Sequence, residues 1–176
     1  MVLRSLALWG ILSSLALCAG FGGFSAAAGA EPAITLDPVL HLADGWLNGR
    51  ADARALQGKV VVLDVFTFDC INCKHVVPNL KALHRRYPST VAIVGIHAPE
   101  TPYERERANV ANNLALQGIV WPVAIDNAFA LWKAYGVDAW PTQLVFDRRG
   151  RLRKTIVGEG FDADLDAEIA RLVAER

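Results

Sequence analysis

The feature that most constrains the fold of this chain is the segment 59–80, in which an apolar strand leads into a helix through two cysteines. Residues 60–66 are apolar and mostly β-branched, with Asp64 as the exception, which is typical of a strand buried on both faces. After Cys70, apolar residues recur at helical spacing. The sequence therefore predicts a central strand, with Cys70 and Cys73 at the start of the helix that follows it.

The position of the two cysteines has a chemical consequence. The first N–H groups of a helix have no intrahelical partners, and the helix dipole is positive there, so a thiolate at Cys70 is stabilised. Cys73 lies about one turn further on and is able to close a disulfide with Cys70. Asp69 opposes the dipole, because a neighbouring carboxylate disfavours a second negative charge. We expect a redox pair in which Cys70 attacks and Cys73 resolves, with Asp69 moving the pair toward the behaviour of a reductant.

Metal and haem sites also use two cysteines at this spacing. A structural zinc site would need a second ligand pair, and His75, His84 and His97 do not have the spacing of one. A haem attachment site would need histidine directly after the second cysteine, where this chain has Lys74. The sequence therefore predicts neither a metal nor another cofactor.

Three more elements accompany the cysteines. Asp64 stands six residues before Cys70, Trp140-Pro141-Thr142 precedes an apolar run, and Gly158 lies between the last predicted strand and the last predicted helix. Together with the cysteine segment, these residues resemble thioredoxin-fold oxidoreductases. The resemblance is greatest to the TlpA-like branch and to the thioredoxin-like domains that occur with NHL repeats or are fused to DipZ-type membrane proteins. It covers nearly the whole chain after residue 45.

The resemblance implies a fold and a site. The implied fold is α/β and thioredoxin-like, with a central mixed β-sheet flanked by helices, an N-terminal extension and a helix–strand insertion after the second buried strand. The implied catalytic residues are Cys70, Cys73 and Asp64, which would accept and return the proton of Cys73. The segment Trp140-Pro141-Thr142, as the cis-proline loop of the family, would bind the backbone of an extended substrate.

Several charged residues leave two interpretations open. Asp64 is alternatively a strand-end aspartate satisfied by the backbone or by Lys59. His97, at the end of the second buried strand, is either hydrogen-bonded to nearby backbone or lies near the cysteines with Glu100 and tunes their acidity. Glu159 either faces the active site or is an ordinary solvated loop residue. Asp69, His97 and Glu159 are therefore candidate modulators of the redox pair.

Outside the cysteine segment, periodicity predicts the remaining elements. Residues 101–117 form a helix with Glu104 on a solvated face, residues 120–125 a strand, and residues 126–135 a helix capped by Asp126. Residues 46–49 are interpreted as the turn of an N-terminal hairpin. The C-terminal elements are two strands around a turn and a last helix, at residues 143–146, 152–157 and 162–174.

The first thirty residues have the pattern of an export signal. Arg4 gives a positive start, residues 6–17 are apolar, and Ala28-Gly29-Ala30 is a cleavage site, so the predicted domains are a signal peptide at 1–30 and a thioredoxin-like domain at 31–176. The alternative is an inner-membrane anchor formed by residues 6–24. A lipid at Cys18 is disfavoured by the large Leu17. Every version places the folded domain outside the cytoplasm, in the periplasm.

Composition and motifs together predict the function. The 176 residues carry 18 basic and 18 acidic side chains, so the chain has no excess of positive charge that would attract nucleic acid. We expect a monomeric cell-envelope thiol–disulfide oxidoreductase, acting as a reductase on protein disulfides and supplied with electrons by a membrane partner. One alternative is a peroxiredoxin-type thiol peroxidase, because residues 67–70 match T-x-x-C, although Leu63 occupies the place of that motif's proline. The other is a non-catalytic module that binds and delivers metal.

Overall fold

Residues 33–175 are described by the computed structural model, in which a six-stranded mixed sheet carries helices on both faces. The strands are β1 Gly45–Leu47, β2 Val60–Phe66, β3 Val91–His97, β4 Val123–Ile125, β5 Thr142–Phe146 and β6 Leu152–Val157. The helices are α1 Asp37–His41, α2 Ala53–Leu56, α3 Ile71–Arg86, α4 Arg107–Gln117, α5 Ala130–Ala134 and α6 Asp162–Ala174, with a 3₁₀ turn at Pro102–Arg105. The predicted α/β class is confirmed, and α4 and β4 form the insertion after the second buried strand.

Strand β2 lies inside the sheet, whose strand order is β1-β4-β3-β2-β5-β6. It pairs parallel with β3 and antiparallel with β5, and all seven of its residues are buried. Alternate side chains of a strand point to opposite faces. Val60 and Val62 accordingly pack in one hydrophobic cluster, and Val61 and Leu63 pack in the other. Burial on both faces accounts for the continuous apolar run and confirms β2 as a central strand.

Helix α3 follows β2 as expected, and Cys70 is its N-cap residue. The buried side chains recur at helical spacing and face the sheet: Cys73, Val76, Val77, Leu80 and Leu83. This continuous apolar stripe fixes the helix against β2 and β3. The cysteine end of the helix is thereby held at the edge of the sheet where β2 ends.

The expected N-terminal hairpin is wrong. Strand β1 pairs antiparallel with β4 and does not fold back on a neighbouring segment. Asn48 and Gly49, which follow β1, both have positive φ, at 55° and 92°. The Asn48 side chain donates a hydrogen bond to the Ile119 carbonyl at 2.8 Å. The chain therefore leaves the sheet after β1. Strand β1 itself covers the edge of the short strand β4 that would otherwise be open.

The expected continuous helix over residues 101–117 is interrupted. Thr101 and Glu104 form a capping box that starts the 3₁₀ turn, and Glu106 is extended, with ψ 115°, before α4 begins. Glu104, expected on a solvated face, has 1% of its surface exposed. The reason is that its carboxylate turns inward to accept backbone N–H groups that start the turn.

The two elements predicted between residues 120 and 135 are shorter than expected. Strand β4 begins only at Val123, because Pro122 has no N–H for a strand ladder. Helix α5 begins at Ala130, after Phe129, which has a φ of 57°. Asp126 still acts as a cap, since its carboxylate accepts from the N–H groups of Leu131 and Trp132, at 3.0 and 2.8 Å.

The N-terminal predictions concern residues that the structure does not describe. The signal peptide at 1–30, the alternative anchor at 6–24 and Cys18 all lie outside residues 33–175. Within the described part of the chain, no helix combines the length and the apolar character needed to cross a membrane.

Candidate active site

The two cysteines lie at the N-terminus of α3, one more accessible than the other. Cys70 is half-buried, whereas Cys73 is 2% exposed, and both are free thiols. The backbone N–H of Cys73 donates to Cys70 Sγ, with an N–S distance of 3.4 Å. This is the predicted contact between a helix N-terminus and the leading sulfur. Because Cys70 is the more exposed of the two thiols, it is the one that a partner protein is able to contact, whereas Cys73 is buried.

Cys73 is held in its thiol form by its surroundings. Burial raises the pKa of Cys73 well above its ordinary value, and the adjacent Cys70 thiol and the charge of Asp64 raise it further. The backbone of Thr67 acts in the opposite direction, because its hydrogen bond to the sulfur favours the thiolate. Cys73 therefore has to lose its proton as it attacks, which creates the need for a nearby proton acceptor.

Asp64 is a buried carboxylate whose charge acts on the Cys73 thiol. It is 2% exposed, and burial raises its pKa to about 6, although a hydrogen bond from Gln143 opposes that rise. Gln143 Nε2 donates to Asp64 Oδ1 at 3.0 Å from the facing position of β5. The alternative in which the backbone or Lys59 satisfies Asp64 is therefore wrong. Gln143 was missed from sequence, although an amide within an apolar strand just after Pro141 was the available signal.

Asp69 and Lys74 form an ion pair across the first turn of α3. The Lys74 Nζ to Asp69 Oδ1 distance is 3.2 Å, and both side chains are more than one-third exposed. Lys74 thus offsets part of the negative charge that Asp69 places beside Cys70. In water such a pair contributes at most about 1 kcal/mol to stability.

The loop at residues 140–142 lies next to the cysteine turn. Val65 of β2 is paired with Thr142 of β5, so the segment before Thr142 and the segment after β2 meet at one edge of the sheet. The peptide bond between Trp140 and Pro141 is cis. The Pro141 carbonyl accepts from Gly158 N–H at 2.8 Å, which ties the loop to the end of β6.

Trp140 has two anchors that hold its indole in place. Its Nε1–H donates to the Ala98 carbonyl at 3.1 Å, and its ring lies 4.5 Å from that of Trp132. The indole packs against the hydrophobic cluster that includes Cys73 and that Cys70 also contacts. Trp140 is therefore held in place at the border of the hydrophobic cluster that also contains Cys73.

His97 is fully buried and does not follow either of its two interpretations in full. Among residues 33–175, neither ring nitrogen has a hydrogen-bond partner at normal distance and angle, although the backbone of His97 itself acts on the ring and raises its pKa. The ring stacks on Phe68 at 5.4 Å and meets the edge of Phe66 at 5.5 Å. Burial lowers the pKa of His97 to about 4, while the charge of Glu104 opposes that change. Glu104 is therefore an acid whose charge acts on His97, and the role of His97 with Glu100 as modulators of the cysteines stays a prediction.

Glu104 is a second functional candidate that was missed from sequence. Its Oε1 accepts from the Thr67 hydroxyl and from Asp69 N–H, the latter at 3.2 Å. Its Oε2 accepts from the N–H groups of Glu100 and Thr101, at 2.8 and 2.7 Å. The signal in the sequence was the capping-box spacing from Thr101 to Glu104, directly after a buried strand.

Glu159 lies close to the active-site end of α3. Its Oε2 pairs with Nδ1 of His75, two residues after Cys73. The pair joins α3 to the loop after β6, and Gly158 of that loop binds Pro141. Glu159 is therefore not an isolated loop charge, and its role as a modulator of the cysteines stays a prediction.

Comparisons with known proteins agree with this geometry. The family model described as Thioredoxin-like matches residues 58–152, more than half of the chain. Protein DipZ of Mycobacterium tuberculosis is 37% identical over 128 residues, which cover 70% of this chain and 18% of DipZ. The chain thus spans less than a fifth of that relative's length. The thiol-disulfide oxidoreductase YkuV of Bacillus subtilis is 26% identical over 139 residues, covering 78% of this chain and 94% of YkuV.

A solved structure shows the same fold over most of its length. The thiol-disulfide isomerase from Corynebacterium glutamicum is 28% identical, with a TM-score of 0.70, and the match covers 76% of this chain and 94% of that one. The sequence-based resemblance, including its DipZ-associated branch, is confirmed. The chain belongs to the thioredoxin-like family.

Proposed function

We propose that this chain is a cell-envelope thiol–disulfide oxidoreductase that reduces disulfides of partner proteins through Cys70 and Cys73. The observation that carries the proposal is the unequal pair of thiols at the start of α3. One thiol is accessible, and the other is buried and subject to the charge of Asp64, whose pKa is about 6. Such an arrangement suits a two-step exchange, in which the outer sulfur meets the partner and the inner sulfur releases it.

The first step is attack by the Cys70 thiolate on one sulfur of the partner disulfide. A bond forms between Cys70 Sγ and that sulfur, the partner's S–S bond breaks, and the other partner sulfur leaves as a thiolate that takes a proton from water. The Cys73 N–H at 3.4 Å and the positive end of α3 stabilise the attacking thiolate.

The second step releases the partner. As Cys73 Sγ attacks Cys70 Sγ, its proton passes to Asp64, which is ionised above about pH 6. The Cys70–Cys73 bond forms, the mixed disulfide breaks, and the second partner sulfur leaves as a thiolate. The chain has then given two electrons to the partner, and a donor must return two electrons and two protons before the next cycle.

The loop Trp140-Pro141-Thr142 is proposed to bind the backbone of the substrate. It lies beside the cysteine turn, and the hydrogen bond from Gly158 to Pro141 holds it in position. An extended polypeptide placed along this loop would bring its disulfide to Cys70. The indole of Trp140, held by Ala98 and Trp132, would supply apolar contact area for that polypeptide.

The leader and the partners complete the proposal. Residues 1–30 act as a signal peptide, or residues 6–24 as an anchor, and residues 31–176 form the exported domain in the periplasm. The support is the charge and cleavage pattern of the leader. The chain acts as a monomer on protein disulfides and receives electrons from a membrane protein. DipZ, which is much longer than this chain, is a relative of it.

A specific observation weighs against the peroxidase alternative. The hydroxyl of Thr67, the first residue of the T-x-x-C match, is buried and donates to Glu104. The Thr67 hydroxyl therefore donates its hydrogen to Glu104 and not to Cys70. A peroxide-consumption assay tests this alternative, and metal analysis of the reduced chain tests the metal-delivery alternative.

The proposed function is tested with the full chain in an insulin-reduction assay. Wild type and the matched control Cys18→Ser should reduce insulin, whereas Cys70→Ser and Cys73→Ser should not. Cys73→Ser should also accumulate mixed disulfides through Cys70, because the resolving thiol is missing. A wild-type chain that neither reduces insulin nor forms a Cys70–Cys73 bridge in glutathione buffers would contradict the proposal.

A further inference from the structure

Glu104 is a buried carboxylate that joins the two loops at the end of the central strands. With 1% of its surface exposed, it accepts hydrogen bonds from four donors on two segments. Thr67 and Asp69 belong to the connection between β2 and α3. The other two donors follow β3, the parallel neighbour of β2. One side chain therefore fixes the distance between the cysteine turn and the loop after β3.

The charge of Glu104 is maintained by these donors. Burial raises the pKa of Glu104, but hydrogen bonds from Thr67, Thr101, Asp69 and Glu100 together outweigh that effect and hold it below its ordinary value. Among the ion pairs found within residues 33–175, none involves Glu104. The carboxylate is thus an anion bound by N–H and O–H groups, and each donor is oriented toward it.

The segment held by Glu104 leads directly to both cysteines. The N–H of Asp69 donates a hydrogen bond to Glu104, and Asp69 is the residue before Cys70. Thr67 donates its hydroxyl hydrogen bond to Glu104, and its backbone acts on Cys73 by lowering the pKa of that thiol. Phe68 between them is 1% exposed and stacked on His97, so the turn has little freedom to move without Glu104 moving.

We propose that Glu104 is a positioning residue for the thiol exchange. It does not touch the sulfurs; it fixes Thr67 so that the Thr67 backbone stabilises the Cys73 thiolate as Cys73 attacks Cys70. This inference rests on the proposed function, because it assigns Glu104 a part in the resolving step.

Glu104→Gln in the full chain is the decisive variant. Each carboxylate oxygen of Glu104 accepts from two donors. An amide has one oxygen and one NH₂ group, so in Glu104→Gln the NH₂ group would face one of these two pairs of donors and could not accept from it. The reduced chain is mixed with oxidised glutathione, and closure of the Cys70–glutathione mixed disulfide to the Cys70–Cys73 bridge is followed by acid quench. Peptide mapping after alkylation distinguishes disulfides of Cys70 and Cys73 from any disulfide that involves Cys18.

The expected result is slower closure at an unchanged rate of mixed-disulfide formation at Cys70. A hydrogen bond to a charged group is worth about one pKa unit, so closure in Glu104→Gln should slow about tenfold at neutral pH. The midpoint of its pH profile should stay near that of Asp64, because Asp64 still accepts the proton. Glu106→Gln is the matched control, because Glu106 is exposed and its side chain caps nothing. It should close at the wild-type rate.

The comparison of the two steps distinguishes positioning from mere support of the fold. A folded Glu104→Gln chain that closes at the wild-type rate, or in which mixed-disulfide formation slows as much as closure, overturns the inference. If Glu104→Gln does not fold, the same criterion applies to Thr67→Val, which removes one of the four donors and should slow closure in the same way. A wild-type chain that forms no Cys70–Cys73 bridge at all overturns the proposed function itself.

Discussion

Asp64→Asn should stabilise the reduced protein at neutral pH, although it removes a catalytic group. The carboxylate of Asp64 is 2% exposed, and burial raises its pKa from 3.8 to about 6. One pKa unit is worth about 1.4 kcal/mol, so ionising Asp64 in the folded state costs about 3 kcal/mol more than in the unfolded chain. Asparagine carries no charge and keeps an oxygen that is able to accept from Gln143.

The sign of this effect depends on pH. The folded state holds the Asp64 proton more tightly than the unfolded state, so the stability that Asp64 contributes is complete below about pH 4 and is lost as pH rises through about 6. The variant should therefore match the wild type near pH 4. It should exceed the wild type by about 3 kcal/mol in the free energy of unfolding above about pH 7.

The assay is urea unfolding of wild type and Asp64→Asn at a series of pH values between about 4 and 8, with the thiols kept reduced. The difference between the two proteins is the informative quantity, because His97 changes the wild-type stability in the opposite direction over much of this range. Asp138→Asn, at an exposed position, is the matched control and should show no such trend. A difference between wild type and Asp64→Asn that does not change with pH would refute the reasoning.

Two further predictions concern neighbouring residues. His97 has its pKa lowered to about 4 by burial, so the unfolded chain binds its proton first, and His97 costs about 3 kcal/mol of stability as pH falls from about 6.5 to below 4. His97→Phe should remove that loss in acid unfolding curves, and an unchanged acid limb would contradict the assignment. Trp140→Phe keeps an aromatic ring beside Trp132 but deletes the hydrogen bond to Ala98, so urea unfolding should show a loss of about 1 kcal/mol. A loss no larger than experimental error would show that the indole N–H is not a stabilising anchor.

The parts of the fold that could be predicted from sequence are those determined by local pattern. The apolar run of β2 and the helical spacing after Cys70 place the cysteines correctly, because both signals lie within one continuous segment. The hairpin of β5 and β6 follows for the same reason, since its turn residues lie between its strands. The pairing of β1 with β4 could not be predicted from local pattern, because the two strands are about eighty residues apart and each has only three residues.

The site residues that were missed depend on contacts distant in sequence. Gln143 reaches Asp64 across 79 residues, and nothing near either residue records the contact. Glu104 lies in the run Glu104-Arg105-Glu106-Arg107, and its neighbours have the character of a solvated face. The capping box accounts for part of its inward direction, but its other two donors lie in the loop after β2, 35 and 37 residues away. Periodicity describes which face of an element is apolar, but not which single polar side chain a distant loop needs.

The two buried carboxylates show how hydrogen bonding determines their chemical roles. Asp64 and Glu104 are both almost inaccessible to water, and burial raises the pKa of each. Glu104 has four donors, which return its pKa to below the ordinary value, so it stays an anion and its geometry is fixed. Within residues 33–175, Asp64 has one side-chain donor, Gln143, and its pKa remains near 6, which leaves it able to take and return a proton close to neutral pH. Adding a donor to Asp64 would therefore make it a better anchor and a poorer proton acceptor, whereas removing donors from Glu104 would release the turn that carries both cysteines.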